Sequence, residues 1–372
     1  MSTVALLDRI PSLRLLDPAG RWVDRRLVYQ DPAFLALERR TLWPSHWLAA
    51  LPLEDLARPG AVVPLDLAGV PLLAVRDAES VRLLSNVCRH RAMRLCATAG
   101  QHQALTCPYH GWRYALDGQL LMAPQRAREL PDLDPTRLRL AEVPSTELAG
   151  LLLGRLESPG DAAPRSFPSD SDDPVALVAK ELADHDPPTL PVVLRRTLVA
   201  ACNWKLLVEN HLDGYHLWYL HQRSLGAYDH RRFTSRFRPD GTWTSFEPLR
   251  PAAPPPSGLV PVPNLSRVGM GAHLLFPGLL IVTTPWWLAT AWLEPLAPDR
   301  TRLHLVVRGT EGSDPEALLD DVLGFVREDI DACEAVQAAL GSGVPEGPLA
   351  RTLEADLVGF RRVVAEICGA PA

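Results

Sequence analysis

The chain has 372 residues, more than one ordinary domain carries, and 47% hydrophobic with 22% charged residues makes it globular rather than disordered or coiled-coil. A net charge of −6, from 38 basic against 44 acidic residues, offers no basic footprint for nucleic acid or an acidic membrane surface. Six cysteines are too few for a disulfide-built fold of this length, and 36 prolines imply many loops.

Residues 4–7 form the only early apolar run, and Asp8, Arg9 and Pro11 end it too soon for a secretory leader. No stretch reaches the apolar length of a membrane span. The expectation is a cytoplasmic protein with no membrane partner. Residues 30–48 predict a short helix, with Leu35, Leu37, Leu42, Trp43 and Trp47 as its apolar content and Pro44 as its breaker. From Gly60 the pattern changes to strands at 61–70, 71–75 and 81–87, and short strands continue to about Leu156. Residues 158–174, rich in Pro, Ser, Asp and Gly, read as a linker or surface excursion.

Beyond that excursion, 175–183 reads as helix and 192–201 as strand, and the seven prolines of 248–263 predict an exposed extended segment. Residues 273–284 and 301–308 predict buried strands, and 315–340 is the longest amphipathic helix pattern. The organisation is therefore a lead-in (1–45), a first domain (46–156) and a second domain (157–372). Gly269 and Gly271 make a G-x-G with no third glycine and no following helix, so a dinucleotide site has almost no support.

The most informative segment is Cys88-Arg89-His90, followed after sixteen residues by Cys107-Pro108-Tyr109-His110-Gly111-Trp112. Each half supplies one thiolate and one imidazole from a tight turn. Zinc fingers pair Cys with Cys and His with His, whereas both arms here are mixed. Mixed arms suit a [2Fe–2S] centre in which one iron takes two Cys and the other two His, with zinc as the alternative. A second constellation runs from Asn203 to His221, and from Glu209 onward three histidines and two carboxylates crowd into thirteen residues. On a regular helix His216 and His221 diverge by about 140°, so either the helix widens or His221 lies past its end. Spacing alone leaves them open between metal ligands and ordinary histidines.

C-R-H…C-P-Y-H-G-W resembles the cluster motif of Rieske proteins, and Asn86–Arg91 has the form seen in Rieske-type aromatic ring-hydroxylating oxygenases. E-N-x-x-D-x-Y-H-x-x-x-x-H, from Glu209 to His221, is similar to the mononuclear-iron motif of the same family's α (catalytic) subunits. The resemblance implies that Cys88, His90, Cys107 and His110 hold the cluster and that His216 and His221 bind iron. Asp213 would hydrogen-bond toward the cluster-bound histidine of a neighbouring subunit, with Asn210 and Tyr215 behind the ligands.

Two histidines need a carboxylate to complete a facial triad, and Asp329 is expected to supply it, over Asp331 or Glu328, on two grounds. At about 100° per residue, Val322, Val326, Cys333, Val336 and Leu340 share one helix face; Asp329 falls among them and Asp331 opposite. Glu328-Asp329-x7-Gln337 also resembles the family's C-terminal pattern. A carboxylate on a buried stripe is costly unless paired or metal-bound.

The fold implied is α+β: an all-β cluster domain, then a helix-grip domain in which an antiparallel sheet wraps a long C-terminal helix. The implied function is O2-dependent hydroxylation or oxidative demethylation of a small organic substrate, with an aromatic one expected. Electrons would come from NAD(P)H through a separate reductase, with a ferredoxin as an optional carrier, and the α subunits would form a homotrimer. The alternatives are N-demethylation of a small quaternary amine, an Fe–S electron carrier, and a zinc protein.

By the same resemblance Leu274, Phe276, Leu280, Trp286 and Trp287 line the substrate cavity, with plain core packing as the competing reading. Pro277-Gly278 departs from the family's Pro-Asn at that place. The remaining histidines, among them His185, His211, His230 and His273, and the cysteines Cys96, Cys202, Cys333 and Cys368 read as structural residues.

Overall fold

A computed structural model of the chain describes residues 13–156, 173–186, 190–251 and 253–369. The 158–174 excursion thus lies almost wholly outside the described residues. They divide into two compact units, one within 44–159 and the other formed by chain from both sides of it, within 1–43 and 160–372.

The 44–159 unit is all-β at its centre. Strands β1 (Trp47–Pro52), β10 (Ser145–Leu148) and β11 (Leu151–Arg155) make a three-stranded sheet in the order β1-β11-β10. Strands β2 (Ala61–Leu67), β3 (Val70–Arg76), β4 (Val81–Ser85), β5 (Gly100–Gln101) and β9 (Glu142–Val143) make a second sheet, ordered β5-β2-β3-β4-β9. The short strands β6 (Leu105–Thr106), β7 (Arg113–Tyr114) and β8 (Leu120–Met122) make the third. Val62, Leu73, Val75 and Leu84 bury one face of the second sheet in a cluster that also holds Cys88, Cys107, Trp112 and Tyr114. The two Cys–His turns therefore sit directly on the unit's core.

The other unit is built on a seven-stranded antiparallel sheet. Its strands are β12 (Val192–Ala200), β13 (Thr234–Phe237), β14 (Trp243–Pro248), β15 (Gly269–Leu275), β16 (Leu279–Thr283), β17 (Trp287–Ala297) and β18 (Arg300–Gly309), in the order β12-β18-β17-β16-β15-β14-β13. Helices α1 (Arg25–Gln30), α2 (Pro32–Thr41), α3 (Pro174–Glu181), α4 (Trp204–Leu212), α5 (Leu217–Leu220), α6 (Pro315–Ala339) and α7 (Ala355–Cys368) complete it. Asp314 caps α6 by accepting from the Glu316 amide, with Pro315 at the first helical position. Leu318, Val322, Leu323 and Phe325 pack α6 against Leu194, Leu305 and Val307 of the sheet.

The helix predicted over 30–48 is two helices, because Asp31 ends α1 in an extended conformation and caps α2 through the Ala33 amide. Trp47 already belongs to β1. These helices belong to the second unit. Buried Lys205 forms a 2.6 Å ion pair with buried Glu38 of α2, and the Tyr29 hydroxyl donates to Glu209 of α4 at 2.7 Å. Arg361 of α7 binds Glu209 from the opposite terminus, Nη2 to Oε2 at 2.8 Å. No described helix is long and apolar enough to cross a membrane.

Candidate metal centres

The two Cys–His turns are one structure used twice. The Cys88 amide donates to the Met93 carbonyl and the Cys107 amide to Trp112, in each case five residues on. The Ala92 and Gly111 amides return to the Cys88 and Cys107 carbonyls, and both of these fourth residues take the left-handed conformation, at φ 55° and 70°. Glycine is the natural residue for that geometry, which accounts for Gly111.

Both sulfurs are buried and both imidazoles exposed. His90 Nδ1 and His110 Nδ1 converge to 3.1 Å, and the His90 ring stacks on Trp112 with centroids 4.9 Å apart. The Tyr114 hydroxyl lies 3.3 Å from Cys88 Sγ and accepts from the Arg89 amide at 3.1 Å. Two buried sulfurs with two imidazole nitrogens aimed at one point fit a cluster ligated by sulfur at its inner iron and by nitrogen at its outer one.

In the other unit His216 precedes α5 and His221 follows it, so the five-residue interval is met without widening a helix. His216 Nε2 lies 3.2 Å from His221 Nε2. Asp329 Oδ1 lies 3.0 Å from His221 Nε2 and 3.5 Å from His216 Nε2. Ligand atoms at right angles, ~2.1 Å from a common centre, stand about 3.0 Å apart, so the three atoms fit one face of an octahedral metal site. Burial disfavours the His216 cation, but the Asp213 and Asp329 carboxylates outweigh it and raise its pKa to about 9. Burial also works against the Asp329 carboxylate, yet His216 and His221 hold its pKa below the usual range. A divalent cation binding here would displace the His216 proton and meet two neutral imidazoles and one carboxylate.

Asp213 Oδ2 stands 3.1 Å from His216 Nδ1, near enough for an ion pair though not aligned as a hydrogen bond. Its Oδ1 accepts from the Tyr215 amide at 2.5 Å. Asn210, on α4, faces a cavity of about 70 Å³ together with Asp329. Tyr215 does not turn inward; it is 52% exposed, with Trp218 and Tyr219 beside it at 54% and 71%. Asp331 is exposed on the far side of α6. Val336, expected on the buried stripe, is 41% exposed because α6 buries Cys333 and Gln337 at that level instead.

The cavity walls differ from the expected set. Leu280 is among them, with Leu198, Val282, Leu305 and Phe325. Leu274, Phe276, Trp286 and Trp287 are buried and absent from the lining. Trp287 stacks on Phe325 at 6.0 Å and donates its indole N–H to Asp321 at 2.7 Å, which fixes it as core.

His211, read from sequence as structural, lines the site, and Glu328, the alternative to Asp329 as third ligand, supports it. His211 faces the cavity, its Nε2 3.1 Å from the His273 carbonyl, and burial lowers its pKa to about 4. Glu328, adjacent to Asp329, lies 2.7 Å from His221 Nδ1 and accepts from Ser224 at 2.5 Å. The acidic Glu328-Asp329 pair was its only sequence signal.

Residues 46–144 match the model of the Rieske [2Fe-2S] domain, and residues 188–370 match that of the ring hydroxylating alpha subunit (catalytic domain). A glycine betaine monooxygenase oxygenase subunit from Chromohalobacter salexigens is 34% identical over 190 residues, which are 50% of this chain and 40% of that protein. The chloroplastic choline monooxygenase of Spinacia oleracea is 27% identical over 348 residues, 89% of this chain and 73% of its own. Among solved structures, the quaternary ammonium Rieske monooxygenase CntA aligns with TM-score 0.74 at 18% identity, over 94% of this chain and 96% of that one. Naphthalene 1,2-dioxygenase from Rhodococcus sp. aligns with TM-score 0.69 at 18% identity, over 98% of each chain. These structural likenesses establish the α+β fold. With both family domains in place, the chain belongs to the α subunits of the Rieske non-haem iron oxygenases, O2-dependent oxidoreductases that carry a Rieske [2Fe–2S] cluster and a mononuclear iron.

Proposed function

We propose that this chain is the terminal component of an oxygenase in which Cys88, His90, Cys107 and His110 hold the cluster and His216, His221 and Asp329 hold the iron. The carrying observation is the convergence of two imidazole nitrogens and one carboxylate oxygen, all within 4.8 Å of one another, beside an apolar cavity. When bound, the cluster supplies single electrons and the mononuclear iron activates O2. Glu328 sits against the outer ring nitrogen of His221, where it fixes tautomer and ring orientation, and the Asp213 carboxylate stands against that of His216. Leu198, Leu280, Val282 and Phe325 keep water from the reacting centre, while Asn210 offers an amide to orient a substrate.

The substrate that suits these walls is small, uncharged and largely apolar, such as an aromatic ring. A quaternary amine is the second reading, favoured by the relatives that act on glycine betaine and choline. Against it, aromatic faces usually bind such cations, and of the aromatic carbocycles only Phe325 lines this cavity, Trp286 and Trp287 being packed away from it. The exposed Tyr215, Trp218 and Tyr219 beside Asp213 support a homotrimer, since contiguous exposed aromatics mark protein interfaces. In that assembly Asp213 reaches the cluster histidine of the next subunit. A separate NAD(P)H-dependent reductase, directly or through a ferredoxin, supplies electrons, and a cytoplasmic setting suits six cysteines none of which forms a disulfide.

The test is NAD(P)H and O2 consumption with a surrogate reductase, comparing neutral aromatics with glycine betaine, choline and carnitine and verifying coupled product. His216→Ala should abolish product while cluster absorbance persists; equal turnover by both proteins removes the oxygenase assignment. Asp213→Asn should retain both metals and lower turnover about 10- to 100-fold. Loss of iron would instead make Asp213 part of the iron site itself.

A further inference from the structure

The iron is not the only place in the catalytic unit where chemistry-bearing side chains surround empty space. A second cavity, of about 320 Å³, is lined by residues of α3, the Asp184–His185 turn and strands β13 to β16. Gly271, His273 and Thr283 contribute to it, and the strand register puts all three on one face of the sheet. Leu280 and Val282, which line the apolar cavity, lie on the opposite face. The Gly269–Gly271 pair that makes no dinucleotide motif thus acquires a role. A Cβ at Gly271 would stand 2.6 Å from Thr283 Oγ1 and 3.0 Å from His273 Nε2, so side chains at this position would fill the cavity floor.

The polar groups here are under-used. Arg238 Nη1, His185 Nδ1 and His273 Nδ1 are buried without hydrogen-bond partners, which is costly for groups capable of bonding. Arg236, Arg238 and Arg267 bring three guanidinium groups to the lining, against the carboxylates of Glu181 and Asp184. Both carboxylates are engaged: Asp184 accepts from the Ser266 amide and hydroxyl, and Glu181 lies 3.5 Å from Arg238 Nη2. Arg267 lies flat over the Phe246 ring, 3.7 Å from its centroid. Burial and the neighbouring His211, His185, Arg238 and Arg267 depress the His273 pKa to about 3. The cavity therefore carries three guanidinium groups against two carboxylates, and two imidazoles whose pKa values burial lowers.

We propose that this cavity binds a small organic carboxylate or comparable oxyanion, with Arg238 and Arg267 taking the charge and the glycine floor, His185 and His273 seating the body. Its volume is in the range of sites that enclose small metabolites. The site is separate from the iron and does not depend on the oxygenase reading. One strand nevertheless joins the two cavities, because the His273 carbonyl that meets His211 belongs to the residue whose imidazole faces the anion site.

The test is calorimetric titration of the metal-loaded protein with benzoate, benzamide and inorganic phosphate, repeated with Arg238→Gln and Arg267→Gln. Benzoate should bind, benzamide should not, and each substitution should weaken benzoate at least about tenfold (~1.4 kcal/mol). Equal binding of phosphate would widen the ligand class to oxyanions in general, whereas benzoate alone would restrict it to organic carboxylates. Should Arg238→Gln fail to fold, the exposed Arg267 supplies the reading. Absence of benzoate and phosphate binding, equal binding of benzamide, or binding untouched by both substitutions (as for an anion held at the iron) overturns the proposal.

Discussion

In the cluster unit four candidate ligands come from 23 consecutive residues, 88–110, and from two copies of one backbone turn. In the catalytic unit three come from a turn around α5 and from α6, with His221 and Asp329 108 residues apart. The first site is determined by local hydrogen bonds inside each turn. The second exists only while helices and sheet hold distant residues in register. Damage to the catalytic unit's tertiary bonds should therefore cost the iron and spare the cluster.

Lys205→Ala is the strongest way to break that distinction. It leaves the Glu38 carboxylate buried without its partner, at a cost of about 3–5 kcal/mol. Denaturant unfolding should show the catalytic unit weakened and iron lost, with the cluster's visible absorption intact. Simultaneous loss of both centres would refute the separation.

Acid should act in the same direction. The folded pKa of His273 is about 3, below the ordinary 6.5, so between these values the unfolded chain holds a proton that the folded one refuses. The stability this histidine contributes is full above pH 6.5 and declines as pH falls, by roughly 2–3 kcal/mol at pH 4.5. His273→Gln should flatten that decline in the catalytic unit's denaturation midpoint, and an unchanged slope would assign it elsewhere.

Glu328→Gln sharpens the comparison at the site itself. Weakening the bond to His221 should lower iron affinity about 10- to 100-fold, read by competition with a chelator, at constant cluster content. The smallest effect belongs to Tyr114→Phe, which removes the hydroxyl from Cys88 Sγ and the Arg89 amide. It should cost about 1 kcal/mol, lower the cluster's potential and leave iron binding unchanged.

The same contrast explains what the sequence disclosed. Local turns have local spacing, so the mixed Cys–His arms could be read directly. Asp329 could be placed on a helix face by periodicity, but only the resemblance linked it to histidines a hundred residues earlier. The cavity walls could not be read, because Trp287 and Leu280 are equally apolar and tertiary packing alone decides which meets the cavity. Nothing local marked Glu38 as buried, because its partner Lys205 belongs to a distant segment. The unpaired nitrogens of His185 and His273 had no pattern at all, since an isolated histidine in a strand or turn is usually satisfied.

The buried bonds that join the first forty residues to α4 have a consequence for the order of parts along the chain. By connectivity the cluster unit is an insertion, entering after Trp43 and leaving before the catalytic sheet begins. A fragment starting at the sheet would bury the Lys205 ammonium without a counter-charge and strip Glu209 of its Tyr29 and Trp22 donors. The smallest piece that keeps these buried bonds is the two flanks spliced together with the insert excised.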